Sequence, residues 1–248
     1  MVTTGSSTSA PDPGQDIPWG NVARFVRQLS HDLRNHLNAA ELQSAYVGEI
    51  ATDQEIKNEV KRLRGMLGEL GTILHKLSAD MSPAHPNRMP YRAADFLEDL
   101  RRKMESTAKQ QAVPVIAWDV QVGDAVVELD PQLSILVMQE LLTNAARFGS
   151  EKAVTIQATI DAMKSLVLTL IEPKESFESA TAAWGREPLR HVSQGHYGLG
   201  LNRARMIVES QGGRFETHYD LAGKNLRTTI TLPERAGAAD SASQEHSK

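Results

Sequence analysis

The sequence predicts a helical hairpin followed by an α+β two-layer sandwich, on three observations. Two consecutive stretches repeat their apolar residues at steps of three and four, a proline-rich segment follows, and the pattern then alternates between helical and strand periods. In the first stretch Val22, Val26, Leu29, Leu33, Ala40, Val47 and Ile50 fall on one helical stripe. Thr52 and Asp53 supply turn and cap chemistry. In the second stretch Ile56, Val60, Leu63, Leu67, Leu70, Leu74 and Leu77 step four-three-four-three, the spacing of a coiled-coil seam. Two such helices joined by a short turn form an antiparallel hairpin over residues 17–80. A lone hairpin cannot bury both stripes, so pairing two copies as a homodimeric four-helix bundle is the economical solution. The alternative is packing of the hairpin on the second domain of its own chain.

Pro83, Pro86 and Pro90 mark residues 81–93 as a semi-rigid linker. Beyond it, residues 94–110 read as a helix, 113–120 as a strand, 131–148 as a helix, and 154–160 and 166–171 as strands. A helix over 201–211 ends at Gly212 and Gly213, and strands follow around Phe215 and over 228–232. This order suits helices gathered on one face of a mixed sheet, in a domain covering residues 94–233. Residues 1–16 and 234–248 are small, polar and aperiodic, and are expected to be disordered tails.

The hydrophobic fraction of 40% and charged fraction of 23% are those of an ordinary globular chain. A formal net charge of −4, with no basic cluster, argues against a nucleic-acid partner. Cysteine is absent, which removes disulfides and thiolate metal sites and suits a reducing compartment. Neither a signal peptide nor an apolar run long enough for a bilayer is present, so the expectation is a cytoplasmic protein without membrane insertion.

His31 lies two residues from both Leu29 and Leu33, which at ~100° per residue turns it away from their stripe and towards water. The run Phe25-Val26-Arg27-Gln28-Leu29-Ser30-His31-Asp32-Leu33-Arg34-Asn35 resembles the phosphoacceptor box of two-component sensor histidine kinases. Gln139-Glu140-Leu141-Leu142-Thr143-Asn144-Ala145-Ala146-Arg147-Phe148 resembles the N box of the ATPase fold that those kinases share with Hsp90-like proteins. Gly195-His196-Tyr197-Gly198-Leu199-Gly200-Leu201 resembles a second nucleotide box of the family, the G2 box.

The resemblance implies a histidine protein kinase that autophosphorylates His31 from ATP and passes the phosphoryl group to an aspartate on a response-regulator receiver domain. Asp32 can accept a hydrogen bond from one ring nitrogen and fix the tautomer for attack by the other. Asn35, one turn on, matches the family position that orients water against a phospho-aspartate. Glu140 and Asn144 share a helix face and are the implied ligands for Mg2+ and triphosphate, with Arg147 adding positive charge. Gly198, Leu199 and Gly200 would form the turn that approaches the phosphates.

Two departures from the family pattern stand out. His36 occupies a position where proline is common, and near the seam it is expected to be buried or at an interface. The family's Asp-x-Gly-x-Gly loop, whose aspartate reads adenine, is here Glu172-Pro173-Lys174-Glu175-Ser176. Glu172 could still accept the adenine bond, but Lys174 and Ser176 stand where glycines give positive φ or clearance. Residues 177–194 would then form a lid. That erosion keeps open an ATP-incompetent histidine phosphotransferase that relays phosphoryl groups between receivers through His31, or a silent docking scaffold.

Overall fold

The computed structural model describes residues 18–109, 113–149, 152–177, 181, 184–189, 192 and 197–233. Both expected tails, Gly195, His196 and much of the 177–194 segment lie outside the described residues. The chain divides into two compact units, Met1–Ser82 and Pro83–Lys248. Among the described residues, no helix is long and apolar enough to cross a membrane.

The first unit is a hairpin of α1 (Trp19–Ile50) and α2 (Gln54–Asp80). Asp53 caps α2, its carboxylate accepting the Glu55 N–H at 2.6 Å, as the turn chemistry predicts. At the far end the Arg27 guanidinium donates to the Met81 carbonyl at 2.7 Å, pairing one of the acceptors that a helix terminus leaves open. The faces differ from the sequence reading in an informative way. On α1 the buried positions are Ala23, Ser30 and Ser44. A Cβ on Gly48 would lie 3.3 Å from the Val60 side chain, so these small residues let the two helices approach closely. Leu29, Leu33 and Ile50, assigned to the inner stripe from their spacing, are exposed. Periodicity finds an apolar stripe; it does not say which neighbour covers it.

The seam on α2 splits in the same manner. Val60, Leu67 and Leu74, seven residues apart, are half-buried, whereas Ile56, Leu63 and Leu70 remain open. Together with Phe25, Leu29 and Leu33 they leave the hairpin with an uncovered apolar side.

The second unit carries a five-stranded sheet in the order β2-β4-β5-β7-β6, from β2 (Ile116–Gln121), β4 (Val154–Ile160), β5 (Leu166–Pro173), β6 (Arg214–Asp220) and β7 (Asn225–Leu232). Only the β2–β4 pair is parallel. Helices α3 (Ala93–Ala108), α4 (Pro131–Phe148) and α5 (Gly200–Ser210) supply the apolar layer against it. The core joins Phe96, Leu100, Met138, Leu142 and Ile207 of the helices to Ile156, Leu168, Leu170 and Ile230 of the strands. Alternation along β5 buries Leu166, Leu168, Leu170 and then Glu172, so the carboxylate closes an inward row of leucines.

A short two-stranded sheet, β1 (Met89–Arg92) with β3 (Val126–Leu129), was not legible in the sequence. Each strand has four residues, too few for a period, and Pro90 disguises β1 although an edge strand tolerates proline. The segment read as a linker over 81–93 is therefore partly built into the second unit. The Asn87 N–H donates to Asp130 and the Arg88 guanidinium to the Gln211 carbonyl.

Asp130 and Gln211 fix where α4 begins. Asp130 caps the helix by accepting the Leu133 N–H at 3.0 Å, with Pro131 in the first turn. Its own buried N–H donates to the fully buried Gln211 side-chain oxygen at 2.7 Å. Gln211→Ala leaves that N–H unpaired and is expected to destabilise the unit by about 1–3 kcal/mol. A lowered unfolding midpoint in denaturant, with unchanged slope, would show it.

Candidate functional site

In the hairpin, His31 faces water, with 65% of its side chain exposed. Its Nδ1–H donates to Asp32 Oδ1 at 3.2 Å, and Gln28 Nε2, one turn earlier, donates to the same oxygen at 2.9 Å. Holding the proton on Nδ1 leaves the lone pair on Nε2, the ring nitrogen then suited to nucleophilic attack. Gln28 orients the carboxylate that orients the ring, a role the sequence reading missed. Asn35 is exposed one turn beyond His31. His36 is exposed in this hairpin and not buried; it shares the open apolar stripe with Leu29 and Leu33, seven and three residues before it.

In the second unit, α4 presents Glu140 and Asn144 together, the Asn144 amide donating to Glu140 Oε1 at 3.4 Å. The sequence places a glycine opposite them for a steric reason. A Cβ on Gly200 would overlap the Glu140 carboxylate, so only glycine lets the start of α5 close on α4. Unpaired amides at that helix start favour negative charge, and Gly198 turns the chain into it with φ +63°. Leu199 is buried beneath. Glu140, Asn144 and the Gly198–Gly200 turn thus form one cluster. Arg147 is exposed, with its guanidinium 5.7 Å from the Phe148 ring centroid.

The departure from the family loop takes a definite form. Glu172 is 6% exposed, and Lys174 Nζ lies 3.9 Å from its Oε2. Burial pushes the Glu172 carboxyl above its ordinary value, and the Lys174 charge opposes that shift without cancelling it. Lys174 is anchored on all sides: its N–H donates to the Lys224 carbonyl at 2.8 Å, its carbonyl accepts from the Tyr219 hydroxyl at 2.9 Å, and its ammonium lies 5.5 Å from the Phe177 ring centroid. Phe177 in turn packs on Trp184 and Tyr219, at centroid distances of 5.0 and 5.8 Å. Neither Lys174 nor Ser176 has positive φ, so the expected backbone strain does not arise. What the missing glycines remove is clearance, which the Lys174 side chain fills.

Glu172 also makes stability depend on pH. A carboxyl whose folded pKa is raised favours folding most at pH below its ordinary value of 4.5, and that contribution is lost as pH rises through the folded value. The midpoint of the wild-type chain relative to Glu172→Gln is therefore expected to fall with rising pH over that window. Parallel pH profiles for the two chains would refute it.

No family model matches the chain. It is 26% identical over 210 residues to the sensor histidine kinase AruS of Pseudomonas aeruginosa, an alignment covering 77% of this chain and 21% of that protein. It is also 26% identical over 228 residues to the sensor protein KdpD of Mycobacterium tuberculosis, covering 84% and 25%. The chain is a relative of the sensor histidine kinases. It spans about a fifth to a quarter of the length of those relatives. Solved histidine kinases share its fold. Full-length ShkA in complex with AMPPNP matches at TM-score 0.63 and 18% identity, covering 85% of this chain and 46% of ShkA. Acinetobacter baumannii AdeS matches at TM-score 0.50 and 18% identity, covering 83% and 98%. The two long helices followed by an α+β sandwich thus share the fold of these solved histidine kinases.

Proposed function

We propose that this histidine kinase relative is a cytoplasmic, homodimeric enzyme that phosphorylates its own His31 from MgATP and passes the phosphoryl group to a receiver aspartate of a response regulator. The supporting observation is the His31–Asp32–Gln28 chain, which engages Nδ1 of an exposed imidazole and leaves Nε2 as the nucleophile. Bond formation from Nε2 to the γ-phosphorus breaks the bridge to the β-phosphate and leaves ADP. The protein's contribution is to position donor and acceptor and neutralise charge.

The α4–α5 cluster fits the nucleotide end of that reaction. Glu140 and Asn144 bring carboxylate and amide oxygens to one place, the hard donors magnesium takes, and Gly200 lets the start of α5 close on them. Among the described residues no group of three or more His, Asp or Glu side chains could cage an ion by itself. Magnesium there would draw its other ligands from triphosphate and water. Glu172 is the base-reading group in this proposal, and its contact with Lys174 favours a second reading, relay between receivers without ATP. Asn35 would serve an opposing activity, orienting water for hydrolysis of the receiver's phospho-aspartate to aspartate and inorganic phosphate.

Titration of the full chain with MgATP separates the two. Saturable binding that weakens at least about tenfold in Asn144→Ala, with the unfolding midpoint unchanged, is the expected result. Absence of binding, with His31 labelled only from a phosphorylated receiver, would replace the kinase by the relay.

A further inference from the structure

The buried polar atoms without a hydrogen-bond partner among the described residues are Trp184 Nε1, Arg205 Nε, Thr217 Oγ1 and Thr228 Oγ1. They are not scattered. Arg205 Nη2 donates to the Trp184 carbonyl at 2.7 Å, Thr217 and Thr228 face each other across β6 and β7, and Arg205 and Thr217 line a common cavity of about 380 Å³. That cavity opens between α5 and the edge strand β6, and it shares no residue with Glu140, Asn144, Glu172 or the Gly198–Gly200 turn. Its volume is that of a small-ligand pocket, larger than one water requires.

Its chemistry is specific. Indole and guanidinium N–H groups donate and never accept, and a threonine hydroxyl can donate, so the missing partner must offer acceptors. The lining carries Arg186, Arg205 and Arg227 against the single carboxylate Glu216, so the acceptor is favoured as an anion. The Arg205 side chain is 8% exposed and is held rigidly, with Nη1 on Glu209 at 3.3 Å and the guanidinium carbon 4.9 Å from the Phe215 ring centroid. Gly185 guards the remaining donor: a Cβ there would lie 3.4 Å from Arg205 Nε and closer still to the Leu201 carbonyl. The Asn202 amide holds Gly185 in place by donating to its carbonyl at 3.0 Å.

We infer that this cavity is a binding site for a small phosphate-bearing anion, outside the nucleotide cluster and independent of the proposed kinase activity. The Arg205 Nε–H, the guanidinium donor that neither Trp184 nor Glu209 takes, is left for an oxyanion, and Thr217 with Arg186 completes the cradle. Inorganic phosphate and a phosphate monoester share this chemistry, and the remaining volume decides between them.

The test is calorimetric titration of the full chain with inorganic phosphate and, separately, with ribose 5-phosphate. Saturable binding at or below about 1 mM is expected, weakened about tenfold by Arg186→Gln and about fivefold by Thr217→Val, and retained in Asn144→Ala. Both cavity variants replace side chains without adding bulk, and an unchanged unfolding midpoint establishes that each is folded. Tighter binding of the sugar phosphate than of inorganic phosphate identifies a monoester ligand; equal affinity identifies free phosphate. No saturable binding of either probe, or binding indifferent to both cavity variants, overturns the proposal and leaves the cavity to water.

Discussion

His31→Gln is expected to abolish acid-labile phosphate incorporation from labelled MgATP while leaving the protein as stable as wild type. The first half follows from chemistry. Among the described residues of the phosphoacceptor run, His31 alone combines an exposed ring with a carboxylate, Asp32, on Nδ1. Glutamine has no nucleophilic ring nitrogen. The second half follows from position, because His31 is 65% exposed and its bond to Asp32 lies in water, where a substitution changes stability by about 0.5 kcal/mol or less. A loss of label with unchanged midpoint is therefore a chemical loss. Asp32→Asn should behave differently. It keeps the nucleophile but weakens control of the tautomer, so label should still form, more slowly by about a hundredfold. His36→Gln should label at the wild-type rate, since no carboxylate contacts its ring among the described residues. Quenched-flow measurement with labelled ATP separates the three. Label persisting in His31→Gln would move the acceptor elsewhere and end the proposal.

The contrast between what was and was not legible in the sequence has physical causes. Helix α4 and strand β4 begin and end where the pattern predicts, because the Asp130–Pro131 start is a local signal and the strand alternates over its whole length. Glu172 was legible as a loop departure, and its burial follows from the period of β5. Lys174 was not. Its placement depends on Tyr219 and Lys224, more than forty residues on, and no local pattern carries that pairing. The same holds for Glu140 and Gly200, whose contact explains the glycine but needs the packing of two helices to be seen. On α1 the failure ran the other way. The stripe was real, but the contact with α2 runs through Ala23, Ser30 and Ser44, because close helix packing selects small side chains and leaves the larger apolar ones to another partner.

That partner should be a second copy, and replacing Leu63 and Leu70 together by glutamate is expected to convert a dimer into a monomer. The two leucines are 47% and 50% exposed, on the half of the seam that α1 does not cover. Covering the exposed half of a leucine contributes about 1 kcal/mol, so four such side chains across two copies contribute about 4 kcal/mol. Their loss alone weakens association by about a thousandfold, and charge buried in the seam adds to it. His31 points about 200° from Leu29 around α1, so the proposed pairing leaves its ring open to water. Leu67→Ala gives the contrast. Leu67 lies on the half-buried line of α2, so its truncation should lower the unfolding midpoint of the hairpin more than it weakens association. Sedimentation equilibrium across a concentration series reads both variants against wild type. A wild-type chain that stays monomeric at tens of micromolar, or a double glutamate variant that associates as tightly as wild type, would show that the open stripe serves a different partner.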